Sequence, residues 1–298
     1  MKQIGVIGAN GYIGRHIVLM LSRKGHEPFL FDKDEQSIDG RDNYHKIDLR
    51  CFETFPKQLG NLDIIFFFAG KTSHALDRVN NLNMIEGNDI GLLNFLEFCR
   101  QNSCKAKIIF PSTRLIYKGQ KNRALKETDP KEFKTVYAVS KYACEQYLII
   151  YSMLTAIRYT IFRICVPYGN SIDESLSYGT IKHFIDKAKN GQDIALFGEG
   201  DQKRSFIHIN DVSNLLIQGA FSEKTDNDIF NISGPDVLSI KQVAQMIAER
   251  YGVQVRKMPW PKMEQLIETG DTIFDSSKLN KILEYCYETN FFEWITKN

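Results

Sequence analysis

The stretch from Lys2 to Gly14 constrains this chain more than any other. It opens with a short apolar run, Ile4-Gly5-Val6-Ile7, long enough for one buried strand. Three glycines follow at intervals of three, Gly8, Gly11 and Gly14, and the chain then reads as a helix over Arg15–Lys24. A strand that ends in glycines and opens a helix makes an anion site, because backbone N–H groups and the helix dipole both face the incoming negative charge. Gly8 permits the tight turn, Gly11 lets a phosphate approach the backbone, and Gly14 lets the helix pack on the strand. The spacing differs from the Gly-x-Gly-x-x-Gly of most dinucleotide folds. A glycine-rich surface turn would share the composition, but its position directly after the first strand favours the phosphate site.

The pattern that follows is an alternation of apolar runs and amphipathic stretches. Strands are predicted at Pro28–Asp32, Tyr44–Ile47, Asp63–Phe68, Lys107–Pro111 and Tyr159–Ile164, with helices over Gly87–Asn102 and Val136–Leu154. Such β-α alternation implies a parallel sheet covered by helices on both faces, with ligands at the carboxyl ends of the strands. The 298 residues are 43% hydrophobic, enough for one large domain with a smaller lobe. Past Cys165 the pattern loosens. A helix over Gly179–Asn190 and strands at Ile194–Phe197, Phe206–Ile209 and Asp228–Ile232 are expected. Asp211 is read as the N-cap of Val212–Phe221, and Ser239 as that of Ile240–Tyr251. The expected fold is α/β: a Rossmann-type doubly wound parallel sheet with a smaller C-terminal substrate-binding lobe. Residues 1–165 form the dinucleotide-binding domain, with 206–234 returning to it; 166–205 and 235–298 form the lobe.

A net charge of +2 without a basic run gives no electrostatic case for nucleic acid or a membrane surface. No apolar run reaches transmembrane length, and the first residues read as a core strand and not as a signal peptide, so a cytoplasmic location is expected. The six cysteines show no Cys-x-x-Cys pair and no ligand spacing with histidine, so reduced thiols and no metal are expected.

Two further stretches carry chemistry. Asp32 ends the second strand, where a carboxylate accepts hydrogen bonds from ribose hydroxyls and repels a 2′-phosphate, favouring NAD over NADP. Asp48-Leu49 ends the next strand and is placed to frame an adenine. Tyr137 and Lys141 stand four apart on one helical face. A free phenol has a pKa near 10, too high for a base at neutral pH, and a nearby ammonium stabilises the phenolate. The lysine can also hold a nicotinamide ribose hydroxyl. The Thr113 hydroxyl, just past the strand at Lys107–Pro111, is in reach of the same reacting oxygen.

Taken in this order, these residues resemble the extended short-chain dehydrogenase/reductase family, its NAD-dependent nucleotide-sugar epimerase/dehydratase branch, over nearly the whole chain. The resemblance makes Thr113, Tyr137 and Lys141 the catalytic trio, with Tyr117 completing a Thr-x-x-x-Tyr signature. It makes Gly8, Asn10, Gly11, Tyr12, Ile13, Gly14, Asp32, Asp48, Leu49, Phe68, Ala69, Gly70 and Asn88 cofactor-binding, together with Tyr137 and Lys141. Asn88 and Asn94 fall in an Asn-x-x-Gly-x-x-Asn helix, and Arg163 and Tyr168-Gly169 match the next signature. The stretch Gly198–His208 resembles the segment that holds the nucleotide diphosphate, with Arg204 the phosphate ligand; Thr113, Val166 and Arg204 are the expected substrate contacts. There are departures. Val166 stands where the family has asparagine, Ser205 replaces a frequent aspartate, and the late basic residue expected before Asp275-Ser276-Ser277-Lys278 is missing. His208 is read as packing and His74 as a loop residue.

The resemblance implies an NAD-dependent nucleotide-sugar 4-epimerase and a homodimer through the helices near 87–102 and 136–154, on apolar residues such as Leu92, Phe95, Phe98, Tyr147, Ile150 and Tyr151. A 4-keto-sugar reductase using NAD(P)H is the alternative. A non-catalytic NAD-binding scaffold is disfavoured because Tyr137 and Lys141 are both present. Thr113 is followed by Arg114-Leu115, where the dehydratases carry Asp-Glu, so 4,6-dehydration is not expected.

Overall fold

The computed structural model describes residues 2–72, 78–173 and 177–298, so His74 lies outside the described residues. The chain divides into two compact units. One comprises residues 1–116, 135–163 and 213–230, and the other 117–134, 164–212 and 231–298. The second unit thus takes an excursion at 117–134 that the boundary at 165 had left with the dinucleotide-binding domain.

The first unit carries a seven-stranded sheet built on β1 (Ile4–Ile7), β2 (Phe29–Asp32), β3 (Tyr44–Lys46), β4 (Ile64–Phe67) and β5 (Lys107–Thr113). The spatial order is Asp228–Ile232, Arg158–Ile164, β5, β4, β1, β2, β3. β1 pairs in parallel with β2 and β4, β2 with β3, and β4 with β5. The order reverses at β1, which places a crevice beyond its carboxyl end. All four residues of β1 and of β4 are buried, as strands covered on both faces must be.

Helix α1 (Tyr12–Arg23) begins one turn earlier than Arg15, because Gly11 acts as N-cap and its carbonyl already accepts from Arg15 N at 2.9 Å. Ile17, Val18 and Leu21 form its buried face. The single helix expected over Gly87–Asn102 is interrupted. Helix α2 (Arg78–Ile85) runs into a π-turn at Glu86–Ile90 and continues as α3 (Gly91–Gln101). Helix α4 (Val136–Leu154) has its predicted limits, and the Thr135 side chain caps it by accepting from Ala138 N at 3.1 Å.

In the second unit, the strand Lys203–His208 lies between Val166–Tyr168, in parallel, and Asp236–Ser239, antiparallel. Tyr168, Phe206, Phe291 and Trp294 share its core with the helices Gly179–Lys189 and Ile240–Tyr251. Ser239 caps Ile240–Tyr251 through a reciprocal bond pair with Gln242. Asp211 is not a cap. The helix starts at Ile209, and Asp211 Oδ1 instead accepts from Tyr285 OH at 2.6 Å and Glu288 N at 3.0 Å. Among the described residues no helix is long and apolar enough to cross a membrane, and no group of three metal-ligating side chains comes together. All six cysteines are free thiols.

Candidate active site

Gly8 has φ +87°, and a Cβ there would lie 2.4 Å from Ala69 N. A Cβ on Gly14 would lie 2.1 Å from Gly8 O. Any side chain at either position would push apart the β1 turn, the segment after β4 and the start of α1. Gly8 and Gly14 are therefore positions that only glycine can fill, whereas Gly11, with φ −75°, serves as the N-cap of the helix that the turn opens.

A cleft of about 340 Å³ opens beside this turn. Gly8, Asn10, Gly11, Asp32, Asp48, Leu49, Phe68, Ala69 and Gly70 all line it. These are nine of the expected cofactor residues, drawn from four strand ends. Tyr12, Ile13 and Gly14 belong to the first turn of α1. Lys33, Asp34, Arg50, Lys71 and Asn83 also line the cleft and carry no motif of their own.

Asp32 accepts from Asn10 N at 2.9 Å and from Lys33 N at 2.8 Å. Burial raises its carboxyl above the usual carboxylate range, and these two N–H bonds oppose the rise. The Asn10 side chain binds the exposed loop after β2, donating to Asp34 Oδ2 and Gln36 O, each at 3.1 Å, and accepting from Ile38 N at 3.0 Å. It shapes that loop. Asp48 is held by Arg50 through bonds of 3.0 and 2.6 Å, and this guanidinium keeps its carboxyl below the ordinary range.

Asn88 sits in the π-turn and is buried. Its amide accepts from Lys71 N at 2.7 Å and donates to Lys71 O at 3.0 Å. It thereby fixes the segment that leaves Phe68-Ala69-Gly70. A π-turn adds one residue to the helical ladder and re-aims a side chain, a device often found at functional sites. Asn94 donates to Leu49 O at 2.9 Å, tying α3 to the wall of the cleft.

Thr113 is the last residue of β5 and is 8% exposed; its hydroxyl accepts from Leu115 N at 3.2 Å. Tyr137, half-buried, lies in the first turn of α4, and Lys141 one turn further on. The Lys141 ammonium is buried 3.8 Å from the centroid of the Phe110 ring, on the strand that carries Thr113. Burial pushes its pKa down to about 8, against the opposing pull of Cys144, Glu145 and Asp89. Such a lysine is cationic at neutral pH and close to its titration point, a condition suited to stabilising a phenolate.

In the second unit, the Val166 side chain is half-buried against the core, opposite Phe206 in the register. The Ser205 hydroxyl accepts from Phe274 N at 3.0 Å, a structural bond that an aspartate would make with a buried charge. His208 packs on Tyr168 with ring centroids 5.4 Å apart. Arg204 is buried, and its guanidinium meets Glu268 at 2.5 Å. No spacing rule links residues 64 apart, so this partner was not legible in the sequence.

A parallel sheet with a glycine turn at its switch point, an acid ending the second strand and a Tyr/Lys pair on a helix beside the strand-end Thr113 defines a nicotinamide-dinucleotide enzyme of the extended short-chain dehydrogenase/reductase kind. The chain belongs to the NAD dependent epimerase/dehydratase family, whose sequence model matches residues 4–233. It is 27% identical over 260 residues to a putative UDP-glucose 4-epimerase of Methanocaldococcus jannaschii, covering 83% of this chain and 82% of the relative. It is also 27% identical over 262 residues to a UDP-N-acetyl-alpha-D-glucosaminuronate decarboxylase of Bacillus cytotoxicus, covering 83% and 79%. The fold matches Pal from Bacillus thuringiensis with a TM-score of 0.87 at 22% identity, over 99% of this chain and 97% of that one. It matches a Thermus thermophilus UDP-glucose 4-epimerase in complex with NAD with a TM-score of 0.84 at 24% identity, over 99% and 96%. The family is NAD-dependent, and NAD is the cofactor. The cleft fits it: the Gly8–Gly14 turn leaves room for a pyrophosphate at the α1 start, and Asp32 stands where ribose hydroxyls would need an acceptor.

Proposed function

We propose that this protein is an NAD-dependent nucleotide-sugar 4-epimerase. The observation that carries the reading is the pairing of Tyr137 with a buried, cationic Lys141 one helical turn away, beside a strand end that offers a hydroxyl, Thr113, and no carboxylate. When bound, NAD supplies reversible hydride exchange at the sugar C4. Tyr137, as phenolate, takes the proton of the C4 hydroxyl and later returns it. Lys141 stabilises that phenolate and holds a ribose hydroxyl of the cofactor. The Thr113 hydroxyl donates to the reacting oxygen and orients it. Asp32 receives the adenosine ribose and disfavours a 2′-phosphate. The 4-keto sugar turns within the site before reduction on its other face.

The test is a panel of UDP-, dTDP-, GDP- and CDP-sugars, including a uronic acid because one relative is a decarboxylase, with products identified by NMR. Epimerisation without added reductant supports the reading. A product that appears only with NAD(P)H would establish the 4-keto reductase instead, and release of CO₂ from the uronic acid the decarboxylase. Cofactor extracted from the purified protein should be NAD; recovery of NADP would contradict the role given to Asp32.

A further inference from the structure

Arg204 lies on the strand Lys203–His208 with its side chain 3% exposed. Its Nη2 donates to Glu268 Oε1 at 2.5 Å, and its Nη1 donates to Lys203 O at 2.9 Å and to Gly270 O. Its Nε is buried with no acceptor among the described residues. Glu268 Oε1 is shared, since it also accepts from Gly270 N at 2.8 Å. A guanidinium and a carboxylate can join through two parallel bonds, and this pair is made through one. A buried N–H without an acceptor is costly, so the geometry at Arg204 is better matched by an anion with more oxygens.

The backbone around this contact is pinned by several bonds, whereas the Glu268 side chain is held through one carboxylate oxygen, which accepts from Arg204 and from Gly270 N. Lys134 Nζ donates to Glu268 O at 2.7 Å, Thr272 N to Lys203 O at 2.9 Å, and Lys203 N to Asp271 Oδ1 at 2.8 Å. Asp271 also accepts from Gln120 N and Asn122 N at 3.0 and 2.9 Å. The Glu268 side chain is 26% exposed, so it can leave for water without moving this frame.

We infer that Glu268 is a displaceable counter-ion of Arg204, and that a ligand's phosphate competes with it for the guanidinium. Glu268 thereby lowers the affinity of this unit for nucleoside diphosphates and acts as a specificity residue. The inference rests on the reading of the substrate as a nucleotide sugar. Phosphate oxygens match a guanidinium fork at least as well as a carboxylate does. The ligand must therefore displace a like-charged side chain that already occupies the cation.

The experiment is calorimetric titration of the full-length protein, wild type, Glu268→Gln and Glu268→Ala, with UDP, dTDP, GDP, CDP, inorganic pyrophosphate and the parent nucleosides. Retained NAD and the unfolding temperature report that each variant is folded. The expected result is that both variants bind at least one nucleoside diphosphate about tenfold or more tightly than wild type. The nucleosides should change by less than about twofold, because they carry no phosphate to compete. A gain for pyrophosphate alone would assign the site to a free phosphate anion and would overturn the nucleotide specificity proposed. Unchanged or weaker diphosphate binding in both variants would overturn the competition itself. Failure of the 4-epimerase reading appears elsewhere, as a sugar panel left unconverted whatever the affinities do.

Discussion

Glu145 accepts from Arg163 through both carboxylate oxygens, Nε to Oε1 at 3.0 Å and Nη2 to Oε2 at 2.7 Å, and both side chains are buried. Glu145 lies one turn beyond Lys141 on α4, and its Oε1 also accepts from Ser112, the residue before Thr113. The pair thus fixes α4 and the end of β5 together, the two elements that carry Tyr137, Lys141 and Thr113. Removing one partner leaves a buried charge uncompensated. Arg163→Leu is expected to lower stability by about 3–5 kcal/mol, with Glu145→Gln less severe because it keeps the shape and part of the bonding. Chemical denaturation of each variant, with retained NAD measured alongside, checks this. Loss of under about 1 kcal/mol in both would show that the pair is not a structural tie.

Local pattern made the strands and helices that carry the candidate site legible, and long-range partnership was not legible. Ile4–Ile7 and Ile64–Phe67 are apolar throughout because both faces of the sheet are covered, so their burial could be read directly. The Tyr137/Lys141 face followed from helical spacing. The π-turn at Glu86–Ile90 could not be read, because one extra residue in a helical ladder changes no composition. Neither could the start of α1, where Gly11 serves as a cap without a side chain, nor the Asp211 contacts with Tyr285 and Glu288, which depend on chain return from more than 70 residues away. The Arg204–Glu268 contact belongs to the same class.

Tyr137→Phe should retain NAD and lose roughly a hundredfold or more in turnover, in line with loss of a general acid–base group. Thr113→Val should cost less, because it removes an orienting hydroxyl and leaves the proton carrier in place. Steady-state kinetics on the substrate identified by the panel checks both. A Tyr137→Phe protein with wild-type turnover would make the helix pairing structural only.

Lys141 carries a charge that burial disfavours, with a folded pKa of about 8 against an unfolded value near 10.4. Between those values the unfolded chain binds more protons than the folded one, so stability rises with pH across this window. Below pH 8 both states are protonated and the full cost of the buried ammonium is present. Lys141→Met, close in length and apolar, should therefore be more stable than wild type at pH 7, by an amount on the order of 1–3 kcal/mol. The difference should shrink as pH rises from 8 towards 10. Denaturation of the two proteins in parallel across pH 7–10 measures it, and a constant difference would contradict the assigned titration. Lys141→Met should also be the less active protein at every pH in that range.

Of the residues expected to support a homodimer, Ile150 is exposed, while Tyr147 and Tyr151 are partly buried against the core of the first unit. Leu92, Phe95 and Phe98 are all buried in the core of the first unit. Exposed apolar side chains are found at Val79, Leu82 and Ile90, on α2 and the π-turn, and at Val139, Ile150, Met153 and Leu154 on α4. Apolar exposure repeated along helices that pack side by side is the pattern expected of an association surface, and a homodimer is predicted from it. Light scattering at micromolar concentration should give twice the chain mass of 34.3 kDa, and Ile150→Glu with Met153→Glu should shift it towards the monomer. A clean wild-type monomer would refute the prediction.

The last prediction concerns a reaction this protein should not perform. Elimination of water across C5 and C6 of a 4-keto hexose needs one group to protonate the departing C6 hydroxyl and another to remove the C5 proton. The residues after Thr113 are Arg114 and Leu115, in a single 3₁₀ turn over Arg114–Ile116. Leucine carries no exchangeable proton, and arginine stays protonated with no lone pair to accept one. Leu115 N is already committed to the Thr113 hydroxyl at 3.2 Å, so the turn supports the threonine and supplies no acid or base. A 4-keto hexose formed here therefore has no route to 4,6-elimination through this turn and is expected to be reduced again. Incubation with dTDP-glucose, UDP-GlcNAc and GDP-mannose should yield no 4-keto-6-deoxy sugar, read as the absence of a new C6 methyl doublet by NMR. Restoring the pair as Arg114→Asp with Leu115→Glu tests the same point from the other side: if this turn alone withholds the chemistry, the double variant should begin to release the dehydrated product. Catalytic dehydration by the wild type would mean that acid and base are supplied from other segments of the chain.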